Sequence, residues 1–360
     1  MINFTTAIKK FFCCILLINY LMVPMQASFE NNWNFFLTAS TAFMLNRALY
    51  VAADLAIADI LAVKPCSIHE LTAKTNSNEE ALHRLLHLLQ LYDVFYCDTN
   101  GLYHNTERSE YMRSNHQQSV RPLLLHEDET RWNSIGNLKL SIITGKPAFD
   151  DIYEMPYFSY TNMHPVLSDR FNKAMVTISD FEEKAIAEAY PFNNFLTVAD
   201  LGGGKGGMLT KILKQYDTIH AVLADLPEVV KDHQVPPWYA DRFSVQPIDL
   251  FQPVAINADL FILKRILHDW DDEKSVHILR IIAATMSPSS KLLIIEALVT
   301  DEANEQSQML AQIDLLLLAV FGGRERTYAA YNDIITKAGF TIMHVYPTNS
   351  LVSIIECKRI

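Results

Sequence analysis

Val198-Ala199-Asp200-Leu201-Gly202-Gly203-Gly204-Lys205-Gly206-Gly207 joins an apolar run to a helix-forming one. Glycines at such a junction let the backbone turn sharply and approach a ligand closely. Short apolar runs stand at 196–199, 221–224, 243–245, 260–263 and 292–295, each followed by residues at helical spacing. That alternation predicts an α/β fold built on a doubly wound parallel sheet. Two further runs, 340–346 and 351–357, are separated only by Pro347-Thr348-Asn349-Ser350. Strands so close in sequence pair antiparallel, so a C-terminal hairpin closes the sheet.

The glycines alone leave the ligand open, because Gly202, Gly204 and Gly207 also satisfy the GxGxxG of nicotinamide dinucleotide binders. Three acids narrow it. Asp200 stands two residues before the first glycine, where a carboxylate can accept hydrogen bonds from an amino-acid ammonium. S-adenosylmethionine has that group and a nicotinamide cofactor does not. Asp225 closes the second run, 19 residues after Gly206 (225 − 206), and suits ribose hydroxyls. Asp249, followed by Leu250 and Phe251, suits an adenine, with an acceptor for the exocyclic amine and apolar atoms against the ring. Each acid alone is more simply a loop-capping carboxylate. Three at the ends of successive strands share the edge where open α/β sheets bind ligands.

The fourth strand leads into Lys264-Arg265-Ile266-Leu267-His268-Asp269-Trp270-Asp271-Asp272-Glu273, and the fifth ends in Ile295-Glu296-Ala297. His268 and Glu296 therefore belong to the same sheet edge. A neutral hydroxyl is a poor nucleophile, and an imidazole with pKa near ~6.5 can take its proton at neutral pH. A carboxylate on the other ring nitrogen fixes the tautomer and stabilises the imidazolium. The acids from Asp269 to Glu273 can equally favour a helix N-terminus or hold Mg²⁺. No metal is expected, since a placed base makes one unnecessary.

Before residue 187 the pattern is mainly helical, with Leu45, Leu49 and Ala53 at helical spacing. Ser67 with Glu70, and Ser77 with Glu80, have the spacing of capping boxes. A strand at 94–98, a turn at Asn100-Gly101 and a return at Leu102-Tyr103 complete a winged-helix-like pattern. Its candidate recognition helix, 79–90, carries one arginine, no lysine and two leading glutamates. With a formal net charge of −11 over 360 residues, nucleic acid is excluded as a partner. The leucines of that helix instead predict a partner surface. The division expected is a leader at 1–28, a helical dimerisation and substrate-lid domain at 29–186, and a ligand-binding domain at 187–360.

The N-terminus has the layout of a secretory signal: Lys9 and Lys10, an apolar run from 11 to 23, Pro24, and a cleavage site after Ala27. Met25, at the −3 position of that site, is not the small residue expected there. Met22 or Met25 is an alternative start. The five cysteines include no CxxC pair and predict neither a disulfide framework nor a zinc site.

Taken together, these residues resemble the plant-type and acetylserotonin-type small-molecule O-methyltransferases, which include bacterial natural-product members. The resemblance runs from about Trp33 to the C-terminus. It is carried by Ile57-Ala58-Asp59-Ile60-Leu61, Thr144-Gly145-Lys146-Pro147-Ala148-Phe149, Asp200-Leu201-Gly202-Gly203-Gly204, Asp225-Leu226-Pro227, Leu267-His268-Asp269-Trp270 and Gly322-Gly323-Arg324-Glu325-Arg326-Thr327. It implies a Rossmann-like class I methyltransferase domain using S-adenosylmethionine, with Gly202, Asp225, Asp249, Leu250 and Lys264 on the cofactor. It implies His268 as the base, Glu296 and Glu325 orienting it, a small-molecule hydroxyl acceptor, and a homodimer built through the N-terminal domain. Lys205 and Leu250 depart from the small residue and the methionine frequent at those positions, and the leader is not part of the pattern. A cofactor made and kept in the cytoplasm predicts a cytoplasmic protein, with export or membrane tethering through residues 1–27 as the alternative. The competing functions are a nicotinamide-dependent oxidoreductase and a non-enzymatic dimeric interaction protein of the same fold. The helices at 157–179 and 314–321, with Phe158, Phe171, Met175 and Trp270, are the expected acceptor lining.

Overall fold

The computed structural model describes residues 31–360, so the leader lies outside the described residues. The chain divides into two compact units, one ending at Leu124 and one running from Leu125 to Ile360.

In the first unit, helices Phe43–Asp54, Ile57–Val63, Ile68–Thr75 and Glu79–Leu91 accompany a three-stranded antiparallel sheet. Its strands are β1 (Cys66–Ser67), β2 (Phe95–Cys97) and β3 (Leu102–Asn105), in the order β1-β3-β2. β1 has two residues, too few to leave a pattern in the sequence. The hairpin turn is held by Asp98, whose carboxylate accepts the N–H groups of Asn100 and Leu102, each at 2.9 Å. Gly101 takes the positive φ of 78° that this turn requires. The Ser67–Glu70 capping box forms. Ser77–Glu80 does not: Ser77 Oγ is engaged with Thr75 Oγ1, and Asn78 caps the next helix by accepting the Ala81 N–H. The helix Asn31–Asp54 is long and apolar enough to cross a membrane by length and composition, and Trp33, Phe35, Phe36 and Leu37 on it are exposed.

The second unit is built on β4 (Thr197–Leu201), β5 (His220–Asp225), β6 (Phe243–Pro247), β7 (Leu260–Lys264), β8 (Lys291–Val299), β9 (Arg326–Thr327), β10 (Phe340–Pro347) and β11 (Val352–Arg359). The sheet order is β10-β11-β8-β7-β4-β5-β6, with the short β9 pairing on β8. Strands β4 to β8 are mutually parallel, and β11 and β10 add antiparallel. The chain enters at β4, builds outward to β6, then returns to β7 and builds the other way. β4 and β7 are thus neighbours whose following loops diverge, which opens a crevice at their carboxyl ends.

Both faces of the central strands are covered. Phe261, Leu263, Leu292 and Ile294 point into one apolar cluster, whereas Leu260, Ile262, Leu293 and Ile295 point into the other. Burial on both faces explains why these strands read as continuous apolar runs. Each such side chain contributes roughly 1.5–3 kcal/mol. The helices between 125 and 189, grouped by sequence with the N-terminal domain, count with the sheet instead. Ile186 of helix Pro165–Ala189 shares a cluster with Leu209 and Ile212 of helix Gly207–Gln215. Helical periodicity marks an apolar face but not the surface that face covers.

Candidate functional site

The glycine-rich loop lies at the crevice between β4 and β7. Gly202, Gly204 and Gly206 have φ of 76°, 58° and 72°. A Cβ on Gly202 would lie 2.4 Å from Ile266 Cδ1 and 3.9 Å from Leu250 Cδ1, so a side chain there would close the crevice. Asp225, at the end of β5, accepts the Gly204 N–H through Oδ2 and the Leu226 N–H through Oδ1, both at 2.7 Å. Each oxygen keeps a second lone pair. Burial raises its pKa above the ordinary carboxylate value, against the pull of those two N–H groups. Asp249 lies two residues beyond β6 and accepts the Phe251 N–H at 2.9 Å. Lys264 ends β7 and donates from Nζ to Ser179 Oγ at 2.9 Å.

Asp200 sits inside β4, opposite Leu223 and Ile262. It is buried, and neither carboxylate oxygen has a hydrogen-bond partner. Burial raises its pKa to about 7; Lys264 opposes the rise, and Glu183 and Asp225 add to it. A buried acid left idle in this way is costly unless a ligand satisfies it.

His268 occupies a short 3₁₀ turn after β7, with 13% of its side chain exposed. Nδ1 lies 3.3 Å from Glu325 Oε1 and 4.0 Å from Glu296 Oε2, and Nε2 lies 3.6 Å from Asp269 Oδ1. Burial alone would lower its pKa, but the three carboxylates outweigh that and lift it to about 9. The imidazole is therefore more basic than an exposed one, a difference the sequence did not reveal. Glu296, fully buried on β8, accepts the N–H groups of Ile266 and Leu267 at 3.0 and 2.8 Å through Oε1. It holds the turn that carries His268, whereas Glu325 holds the ring. Burial raises the Glu296 pKa. For Glu325 burial acts upward too, but His268 and Arg265 bring its pKa below the ordinary value.

Three supporting residues escaped the sequence reading. Arg265, at a positive φ of 56°, donates from Nη1 to Glu325 at 3.0 Å and from Nη2 to Glu182 at 2.6 Å. A non-glycine residue in that region marks local strain held by its surroundings. Arg326, 1% exposed, donates to the carbonyls of Leu267 and Trp270 at 2.7 and 2.6 Å. Asp314 accepts the Glu325 N–H at 2.7 Å. Their signal lay in the charges flanking His268 and Glu325, which helical or strand periodicity does not weigh. Trp270 packs on Phe251, with ring centroids 4.9 Å apart, and not among the aromatics around Phe171.

Among the described residues, His268, Glu296 and Glu325 offer ligand atoms within 4.8 Å of one another. A cation could bridge them, but the Arg265 guanidinium already supplies positive charge to Glu325.

Residues 135–341 match the O-methyltransferase domain, and residues 37–115 match the O-methyltransferase dimerisation domain. The chain belongs to the O-methyltransferase family. It is 32% identical to a phenazine O-methyltransferase of Lysobacter antibioticus over 323 residues, 89% of this chain and 94% of that one. The solved structure of a mitomycin 7-O-methyltransferase superposes with a TM-score of 0.84 at 28% identity, covering 94% of this chain and 100% of that one. A methyltransferase of calicheamicin biosynthesis, solved with S-adenosylhomocysteine bound, gives 0.81 at 30% identity over 92% of this chain and 98% of that one.

This O-methyltransferase therefore acts on small molecules and depends on S-adenosylmethionine, and the nicotinamide alternative falls. The fold is the expected one, a mostly parallel sheet closed by an antiparallel hairpin and preceded in sequence by an N-terminal helical dimerisation domain. The residues present fit the cofactor. The idle Asp200 carboxylate suits an ammonium, and the crevice at Gly202 admits a ligand because no Cβ fills it.

Proposed function

We propose that this O-methyltransferase methylates a hydroxyl on an aromatic small molecule, with His268 as general base. The observation that carries this reading is the bond from His268 Nδ1 to Glu325, with Nε2, 3.6 Å from Asp269 Oδ1 and outside hydrogen-bond distance of it, as the nitrogen for the acceptor's proton. S-adenosylmethionine, when bound, supplies the electrophilic methyl and a positive charge. Beside that charge the His268 proton is held less tightly, so the imidazole is favoured in its neutral, proton-accepting form. Glu325 then stabilises the imidazolium as it forms, and Glu296 keeps the turn in place. Asp200, Gly202, Gly204, Asp225, Asp249, Leu250 and Lys264 are the cofactor-binding residues in this reading. Most of the acceleration comes from aligning the acceptor oxygen with the methyl group. Neither a metal nor a covalent intermediate is required.

An aromatic acceptor is favoured by the rings next to the base. Phe321 lies two residues before Gly323, whose Cβ position abuts the His268 carbonyl. Phe321 stacks on Phe158 with centroids 5.6 Å apart and meets Tyr157 edge-on at 4.8 Å. The relative from L. antibioticus is named for a phenazine, which agrees with such a lining. The unit ending at Leu124 supplies the dimerising surface, and the unit from Leu125 to Ile360 holds both the acceptor-covering helices and the cofactor-binding sheet. The working form is a cytoplasmic homodimer, neither bound to nucleic acid nor held in a membrane.

The test is a panel of phenols and aliphatic alcohols incubated with the protein and S-adenosylmethionine, with products followed by mass. Methylation of phenols, insensitive to EDTA, is expected. Methylation confined to aliphatic alcohols would overturn the aromatic reading, and inhibition by EDTA would favour a metal at the His268–Glu296–Glu325 cluster.

A further inference from the structure

His126 is 1% exposed, and neither Nδ1 nor Nε2 has a hydrogen-bond partner. A neutral imidazole always presents one donor and one acceptor. Buried polar groups are overwhelmingly paired, so a side chain with both positions idle calls for a physical reason. Burial, aided by Arg131, pushes its pKa down to about 2, so the ring is neutral at any working pH. Arg131 is 5% exposed, donates toward Glu127 Oε1 at 3.1 Å, and leaves its Nε without a partner. This corner of the second unit thus holds unspent donors facing an apolar surround.

That surround leads to the base. His126 meets Phe171 edge-on, with centroids 5.5 Å apart. Phe171 meets Phe158 at 5.7 Å, and Phe158 stacks on Phe321, two residues before Gly323, whose Cβ position abuts the His268 carbonyl. Phe158 is 39% exposed, so the row of rings is open on one side. The row of rings thus links His126 by successive contacts to Phe321 beside the His268 turn.

We propose that His126 is a recognition residue for the methyl acceptor, bonding an oxygen-bearing substituent on the ring edge remote from the reacting hydroxyl. Arg131 Nε only donates, so the substituent is an oxygen that accepts, such as a ring carbonyl or a carboxylate. The inference rests on the aromatic-acceptor reading above.

The experiment compares wild type, His126→Phe and His126→Gln on two phenols of similar size, one with a remote carbonyl or carboxylate and one without. kcat, KM and the melting temperature are measured for each. In His126→Phe the KM ratio between the oxygen-bearing and plain phenols should rise about tenfold, the effect of one lost hydrogen bond. Its melting temperature should hold or rise, since an idle polar ring is replaced by an apolar one. His126→Gln keeps a donor and an acceptor and should recover part of the ratio, and it carries the test if the Phe variant does not fold. An unchanged ratio in the folded variants overturns the proposal. If wild type methylates neither phenol, the aromatic-acceptor reading has failed first, and the two failures are told apart by the wild-type lane.

Discussion

Gly323 and His268 meet backbone to backbone: a Cβ on Gly323 would stand 2.2 Å from the His268 carbonyl oxygen and 3.0 Å from Asp269 Cα. The Arg324 N–H donates to the same carbonyl at 2.7 Å. The loop that delivers Glu325 is thus seated directly on the turn that delivers His268. Gly323→Ala must push the two apart. It should lower stability by about 1–3 kcal/mol, as overpacking does, and lower kcat through the lost Glu325 contact. Melting and turnover measured together check this; an alanine variant with normal kcat would mean the loop can move without consequence.

Removing the proposed base should be the most damaging change to turnover. His268→Ala is expected to reduce kcat by ~10²–10⁴-fold, the usual loss for a general base, with little change in S-adenosylhomocysteine affinity. Glu325→Gln should cost less, because it relaxes the ring's orientation and leaves the ring in place. A phenol already ionised at the assay pH should partly restore His268→Ala. Near-normal turnover of a high-pKa phenol by that variant would remove His268 from the mechanism.

The raised pKa of His268 has a sign that can be measured. Only the neutral imidazole accepts a proton, so kcat/KM, which reports the free enzyme, should climb with pH through the neutral range, bend at about 9 and level above it. Stability runs the other way. The folded pKa lies above the unfolded value of 6.5, so the contribution of this group is complete below about 6.5 and is lost as pH rises through about 9. A kcat/KM profile that follows only the acceptor's own ionisation, unchanged in His268→Ala, would contradict this.

Cofactor binding should release a proton. Asp200 has its pKa raised to about 7 by burial, and an ammonium beside it favours the ionised form. Calorimetry of S-adenosylhomocysteine binding near pH 6.5, repeated in buffers of different ionisation enthalpy, should show proton release that Asp200→Asn abolishes. Asp225→Ala should weaken the same binding by ~1.5–3 kcal/mol, the range for hydrogen bonds to a charged group. Proton release that persists in Asp200→Asn would assign it to another group.

Assembly is checked by light scattering on protein beginning at Ser28. The match of residues 37–115 to a dimerisation domain leads us to expect twice the chain mass. A monomer at micromolar concentration would contradict the homodimer.

The fold was legible where burial is two-sided or alternation is strict. β7 and β8 read directly as apolar runs, and the hairpin of β10 and β11 follows from a four-residue connection. Asp200, Asp225 and Asp249 stood out in the sequence as a series because each falls in or just after one of three successive strands. Helix assignment to a unit was not: the face of Pro165–Ala189 carries Ile186, but nothing local says which partner it meets. Nor was the basicity of His268 legible, because it depends on Glu325, 57 residues away, folding back onto its ring. Arg265 was hidden for a related reason. Its positive φ and its two ion pairs exist only once helix and loop have closed around it.

The idle carboxylate of Asp200 bears on how long the protein survives in a cell. An acid whose folded pKa is raised leaves folding unaffected below the unfolded value of 3.8 and opposes it increasingly as pH climbs from there to about 7, so at neutral pH the ligand-free chain keeps a weak point in its central strand. A cationic ligand group bound beside Asp200 relieves that weakness, and binding to the folded state alone adds stability by mass action. The ligand-free protein should therefore be cut by protease faster than the S-adenosylhomocysteine complex at neutral pH, and the difference should shrink at lower pH.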